Sequence, residues 1–154
     1  MPYKSKDMIQ DEIWIIDDDR DDHELVLEIV KELNIPNKVL FFDGAKAFLK
    51  HLDEMPSAPF IILCDVNLPG SDGYQIREKL LEEANKKHHS VPFIFWSNTA
   101  SEQQIDKAYK LRAHGFFVKE ANYSEWKETF MGILNYWRKC KMPAKEDAPD
   151  VPLK

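Results

Sequence analysis

The chain has 154 residues, enough for one compact domain, and a formal charge of −6, with 21 Lys and Arg against 27 Asp and Glu. That acidic balance argues against binding a phosphate backbone, which needs clustered cationic side chains. With 44% hydrophobic and 31% charged residues it has the composition of a soluble domain, and its longest apolar run, Phe60 to Cys64, is far short of the roughly 20 residues of a membrane span.

In chain order, Ile13-Trp14-Ile15-Ile16 is β-branched and aromatic and stops at an aspartate run, which predicts a buried strand. Leu25, Val26, Ile29, Val30 and Leu33 recur at helical spacing, and Pro36 ends that helix. Val39 to Phe42 reads as strand two, and Ala45, Phe48, Leu49 and Leu52 as helix two. Strand three runs from Phe60 to Cys64 and ends at Asp65. Residues Asn67 to Gly73 are rich in turn formers and predict a loop. Helix three follows through Tyr74, Ile76, Leu80, Leu81 and Ala84, and Lys86-Lys87-His88-His89 suits its negative dipole end. Strand four is Val91 to Trp96. Ser101 and Gln104 have the spacing of a capping box that opens helix four, carried by Ile105, Ala108, Tyr109 and Leu111 and interrupted at Gly115. Phe116-Phe117-Val118 is strand five. Asn122, with Glu125 three residues on, caps helix five, which places Trp126, Phe130, Ile133, Leu134 and Trp137 on one face.

Strands alternating with helices predict an α/β fold. The expected form is a flavodoxin-like, doubly wound, five-stranded parallel sheet of order 2-1-3-4-5 with five helices. Residues 1–10 lack an apolar signal-peptide core. Cys64 and Cys140 suit reduced thiols rather than a disulfide framework, so the expected compartment is the cytoplasm.

Ligands of such sheets bind beyond the carboxyl ends of the strands, where strand order reverses. Strand one ends in Asp17-Asp18-Asp19, strand three in Asp65, strand four at Ser97 and strand five at Lys119. Each alone equally fits an ordinary polar loop start. Together they place several carboxylates on one crevice, where each pair at about 5 Å repels by roughly 3 kcal/mol at an effective dielectric near 20. Such a cluster calls for a cation. Oxygen ligands at an open mouth suit Mg²⁺ or Mn²⁺, and a hydroxyl and an ammonium beside them suit a phosphoryl group.

Ile13 to Asp19, Asp65 to Gly73, Phe93 to Ser97 and Lys119, in that order and spacing, resemble the receiver domain of bacterial two-component response regulators. The resemblance implies a receiver domain over 11–140, preceded by an N-terminal extension (1–10), and residues 141–154, with three prolines and balanced charge, read as a flexible C-terminal tail. It implies Asp65 as phospho-acceptor, and Asp17 and Asp18 as the acidic pair that holds Mg²⁺ or Mn²⁺ together with Asp65 and the backbone carbonyl of Asn67. It further implies Lys119 as the phosphoryl-gripping lysine, Ser97 as switch hydroxyl and Phe116 as switch aromatic. Asn67 and Thr99 are expected to govern phosphoryl lifetime. The implied partners are a histidine kinase or phosphotransfer protein, and a downstream protein on the face of helix four, strand five and helix five, with a homodimer as a further option. No DNA or membrane partner is expected. Chemistry would be confined to the chain's own phosphorylation and dephosphorylation, without substrate turnover. The Lys-Glu pair and the aromatic-rich last helix are similar to single-domain receivers that partner phytochrome-type kinases.

Two departures stand out. Lys119 is followed by Glu120 where the family has a cis proline, and a cis bond there would cost about 2.5–4 kcal/mol. Asn98 replaces a small residue after the switch hydroxyl. Phe116 and the Trp126 to Trp137 stripe also fit plain core. Three other readings compete. A metal-dependent phosphohydrolase would want a second aspartate where Asn67 stands. A calcium loop through Asp17, Asp19, Asp21 and Glu28 has Asp22 in place of the needed glycine. The third is a degenerate receiver serving as an unphosphorylated scaffold.

Overall fold

The computed structural model describes residues 11–143; the expected N-terminal extension and residues 144–154 of the expected tail lie outside them. Five parallel strands form the sheet: β1 (Ile13–Ile16), β2 (Val39–Phe42), β3 (Ile61–Cys64), β4 (Phe93–Ser97) and β5 (Gly115–Val118). Their order is β2-β1-β3-β4-β5, the doubly wound order expected.

Side chains alternate across the strands, so the short apolar runs feed two cores. Trp14, Ile16, Ile62, Cys64, Phe93 and Phe95 face one side and pack under α2 (Ala45–Asp53), α3 (Gly73–Leu80) and α4 (Glu102–Lys110). Ile13, Ile15, Ile61, Leu63, Ile94 and Trp96 face the other, beneath α1 (Arg20–Glu32) and α5 (Tyr123–Lys139). The stripe Trp126, Phe130, Ile133 and Leu134 is buried there, so it serves as core.

Helix starts follow the local chemistry. Asp19 caps α1 by accepting from the Asp21 amide at 2.9 Å. Ser101 and Gln104 form the expected capping box on α4, and Asn122 accepts from the Glu125 amide to cap α5. Asp72 and Gln75 form a second box that starts α3.

Three stretches differ from the sequence expectation. Within the expected loop after Asp65, Asn67–Leu68 pairs antiparallel with Ser71–Asp72 around Pro69-Gly70. Gly70 sits at φ +71°, the left-handed geometry that a tight turn asks of its third residue. Helix three stops at Leu80, and the basic run belongs instead to a separate 3₁₀ turn, Glu83–His88. The Asn85 side-chain Nδ2 donates to the Lys79 carbonyl at 2.8 Å, and His88 is buried against Trp14 at 5.6 Å between ring centroids, so side-chain anchoring draws the chain off the helix axis. Helix four ends at Lys110, before Gly115. Buried Arg77 donates to the carbonyls of Leu111 and Arg112 at 2.9 and 2.8 Å, holding that helix end open. Burial lowers the Arg77 pKa to about 10.

Gly73 lets α3 start directly beneath the end of β3. A Cβ there would lie 2.3 Å from the Asp65 carbonyl oxygen and 3.1 Å from Cys64 Sγ. Gly73→Ala is therefore expected to destabilise the fold by about 2–3 kcal/mol, the scale of overpacking a tight core. Urea denaturation measures this, and an unchanged midpoint would show that the backbone relaxes there.

Candidate functional site

The upper edge of the sheet is assembled by strand register. Ile16 pairs with Cys64 across β1 and β3, so the next residue on each strand, Asp17 and Asp65, emerges beside the other. The Asp65 amide donates to the Ile16 carbonyl at 2.9 Å, and the Asp17 amide to the Phe42 carbonyl at 2.9 Å. One strand further on, the Lys119 amide donates to the Ser97 carbonyl at 2.8 Å. Backbone pairing alone thus lines up the ends of β1, β3, β4 and β5.

The side chains converge as the sequence suggests. One carboxylate oxygen from each of Asp17, Asp18 and Asp65 lies within 4.8 Å of the others, with Asp17 and Asp65 buried and Asp18 exposed. Lys119 reaches into this cluster with a side chain only 3% exposed. Its Nζ lies 2.8 Å from Asp17 Oδ2, 2.8 Å from Asp65 Oδ2 and 2.7 Å from Asp22 Oδ2. The remaining oxygens are tied locally: Asp17 Oδ1 accepts from the Asp19 amide at 2.9 Å, and Asp65 Oδ1 from the Asn67 amide at 3.2 Å.

This arrangement shifts both kinds of charge. Burial pushes the Asp17 carboxyl up to about 7, against the hydrogen bond and charge of Lys119, and the nearby Asp22 charge adds to the rise. Burial would by itself lower the Lys119 pKa, but its hydrogen bonds to Asp17, Asp22 and Asp65 outweigh it and hold the ammonium above its ordinary value. One cation cannot neutralise the whole acidic cluster. The donor set is all oxygen and opens to solvent at Asp18, which fits a hard divalent ion such as Mg²⁺ or Mn²⁺.

The other sequence candidates fall around this centre. Ser97 is fully buried at the end of β4, where its hydroxyl accepts from the Thr99 amide at 3.4 Å. Phe116 is half-buried, in register with Phe95 and 6.2 Å from its ring, on the α3–α4 side of the sheet. Thr99 Oγ1 is bonded to the Gln104 side chain. Asn67 is exposed on the hairpin just beyond Asp65, and Asn98 is exposed as well. No peptide bond among the described residues is cis, so Glu120 is reached without the strained geometry considered above. A strand precedes the Asp17 to Asp22 run and Asp19 caps a helix within it, which is not a calcium-loop framework.

The sequence marks Asp22 only as the residue standing where a calcium loop needs glycine, and does not mark His23 at all. Asp22 lies among several carboxylates at the start of α1, where the helix dipole favours such charge, but its place in the first turn brings it to Lys119. His23 Nε2 lies 2.5 Å from the Asp17 carbonyl oxygen, and its ring stacks on Phe41, bracing the β1–α1 corner.

Residues 13–130 match the profile of the response regulator receiver domain. Response regulator Rcp1 of Synechocystis sp. is 26% identical over 130 residues, covering 81% of this chain and 87% of that protein. The crystal structure of a phosphorylated cyanobacterial phytochrome response regulator, RcpA, superposes with a TM-score of 0.77 at 24% identity, over 88% of this chain and 99% of that one. The Mn²⁺-bound form of Rcp1 superposes with a TM-score of 0.74 at 23% identity, over 87% and 99%. At those identities the structural likeness establishes the fold.

The raised Asp17 pKa carries a pH signature. The unfolded carboxyl ionises near 3.8 and the folded one near 7, so between those values the folded chain binds more protons and stability falls as pH rises. In metal-free buffer, Asp17→Asn is expected to remove this part of the slope in urea denaturation between pH 4.5 and 7.5. Parallel slopes in the two chains would place the titration elsewhere.

Proposed function

The chain belongs to the response regulator receiver domain family, and we propose that it takes a phosphoryl group onto Asp65 from a histidine kinase or phosphotransfer protein and signals by phosphorylation-dependent protein contact. The observation that carries this reading is the single buried ammonium of Lys119, 2.8 Å from the Asp65 carboxylate inside an acidic cluster.

The chemistry needs positioning more than covalent machinery. An Asp65 oxygen attacks phosphorus, a P–O bond forms, and the bond to the donor imidazole nitrogen breaks with the electron pair leaving on that nitrogen. Asp65 is poised because the Asn67 amide and Lys119 orient its two oxygens. Lys119, already next to Asp65 Oδ2, can follow the developing charge onto a phosphoryl oxygen. Asp17, Asp18 and Asp65, with the Asn67 carbonyl, would hold Mg²⁺. A bound Mg²⁺ would lower the repulsion between carboxylate and incoming anion. Nothing in this scheme requires turnover of a small-molecule substrate.

Ser97 and Phe116 link the site to a partner face. Ser97 is the last residue of β4 and pairs with Val118, while Phe116 itself lines a groove shared by α4, β5 and α5. That groove, about 740 Å³, is lined by the aromatic Phe117, Tyr109, Tyr136 and Trp137 and by the acidic Glu120, Glu125 and Glu128. Phe117, Val118, Tyr109 and Tyr136 are exposed. This surface of α4, β5 and α5 suits a downstream protein or a second copy of the chain.

Acetyl phosphate with Mg²⁺ should add one labile phosphoryl group by intact mass, and Asp65→Asn should add none. A stable adduct, or one that survives in Asp65→Asn, would contradict the assignment. Mg²⁺ at about 100 times its dissociation constant should stabilise the fold by about 2.7 kcal/mol, read as a raised melting temperature, and Asp18→Ala should lose most of that gain. An equal shift in both chains would place the ion elsewhere.

A further inference from the structure

We infer that Asp22 is a positioning residue for the phosphoryl transfer: it takes one of the three N–H donors of Lys119, and its charge strengthens cation binding while slowing phosphoryl approach to Asp65. The inference rests on the reading of Asp65 as acceptor and goes beyond it by assigning a rate-setting role to a side chain on α1.

Asp22 differs from the other two partners of Lys119. Asp17 and Asp65 follow strands and belong to the carboxylate set gathered within 4.8 Å, whereas Asp22 stands outside that set, in the first turn of α1. It makes the shortest of the three contacts, 2.7 Å, and its side chain is 17% exposed against 7% and 8% for Asp17 and Asp65. It therefore acts on the reaction through Lys119 and through its charge.

A lysine ammonium has three N–H groups, and here each faces a carboxylate. When Asp65 takes the phosphoryl group, the donor that faced its oxygen can turn to a phosphoryl oxygen, but the donor on Asp22 stays committed. Asp22 also leaves one more negative charge beside the acceptor than the pairing of Lys119 with Asp17 and Asp65 requires. That one charge attracts a divalent cation and repels an incoming phosphoryl anion. Removing it must move the two in opposite directions, whereas a purely structural defect would weaken both.

The test compares the full-length wild-type chain with Asp22→Asn and Asp22→Glu. Asparagine keeps an oxygen for the Lys119 ammonium and drops the charge; glutamate keeps the charge. Mg²⁺ affinity is measured by calorimetry without any phosphoryl donor. The initial rate of adduct formation from acetyl phosphate is measured by intact mass at saturating Mg²⁺, with the acetyl phosphate concentration varied. Asp22→Asn is expected to bind Mg²⁺ about 3- to 10-fold more weakly and to phosphorylate about 3- to 10-fold faster, mostly through a lower KM for acetyl phosphate, the scale of one partly screened charge. Asp22→Glu should move both back toward wild type. Asp22→Ser, a second neutral side chain suited to a helix start, repeats the comparison if Asp22→Asn does not melt cooperatively. Equal rates, or losses in both measurements, would overturn the role of Asp22 while leaving Asp65 as acceptor. No adduct on any of the chains would overturn both readings, and an adduct on Asp22→Asn alone would support the role of Asp22 while contradicting the expectation that the wild-type chain takes a phosphoryl group from acetyl phosphate.

Discussion

The ammonium of Lys119 lies 2.7–2.8 Å from the carboxylates of Asp17, Asp22 and Asp65, so residues that follow β5, β1 and β3 meet a residue of α1 at one buried point. Removing one partner of a buried ion cluster typically costs about 3–5 kcal/mol, because the remaining charges are left without compensation. The cluster is also unbalanced: three carboxylates surround one cation, and Asp18 adds a fourth nearby. Burial, more than the neighbouring charge of Asp22, pushes Asp17 up to about 7. The same imbalance that makes the edge costly to assemble makes it receptive to a divalent ion.

The rest of the fold holds that edge in register. Parallel pairing aligns Ile16 with Cys64 and Ser97 with Val118, which carries Asp17, Asp65 and Lys119 to adjacent places without any side-chain contact being needed. Gly73 allows α3 to begin against the Asp65 backbone. Arg77, buried below, ties α3 to the end of α4 through the Leu111 and Arg112 carbonyls. Phe116, in register with Phe95 in the sheet, also lines the groove shared by α4, β5 and α5.

Much of this was legible in the residues. The alternation of Ile13–Ile16, Val39–Phe42 and the later apolar runs with helical periodicities specified strands, helices and their order, because a two-faced parallel sheet leaves strong periodic marks. Asp17, Asp18, Asp65, Ser97 and Lys119 were legible as a group because each ends a strand or lies within two residues of a strand's end. What escaped was set by tertiary contact. The stop of α3 at Leu80 depends on Asn85 and on burial of His88 against Trp14, neither of which leaves a local pattern. Asp22 looked like one more acidic residue at a helix start, where the dipole favours such charge. Only the position of Lys119, far along the chain, gives it a partner.

The central claim is that these distant carboxylates form one binding site for a hard dication. Anomalous diffraction from crystals soaked in Mn²⁺ tests it most directly. The account predicts one dominant peak bonded to oxygens of Asp18 and Asp65, with Asp17 beside it. A dominant peak elsewhere on the chain, with none at that cluster, would contradict it.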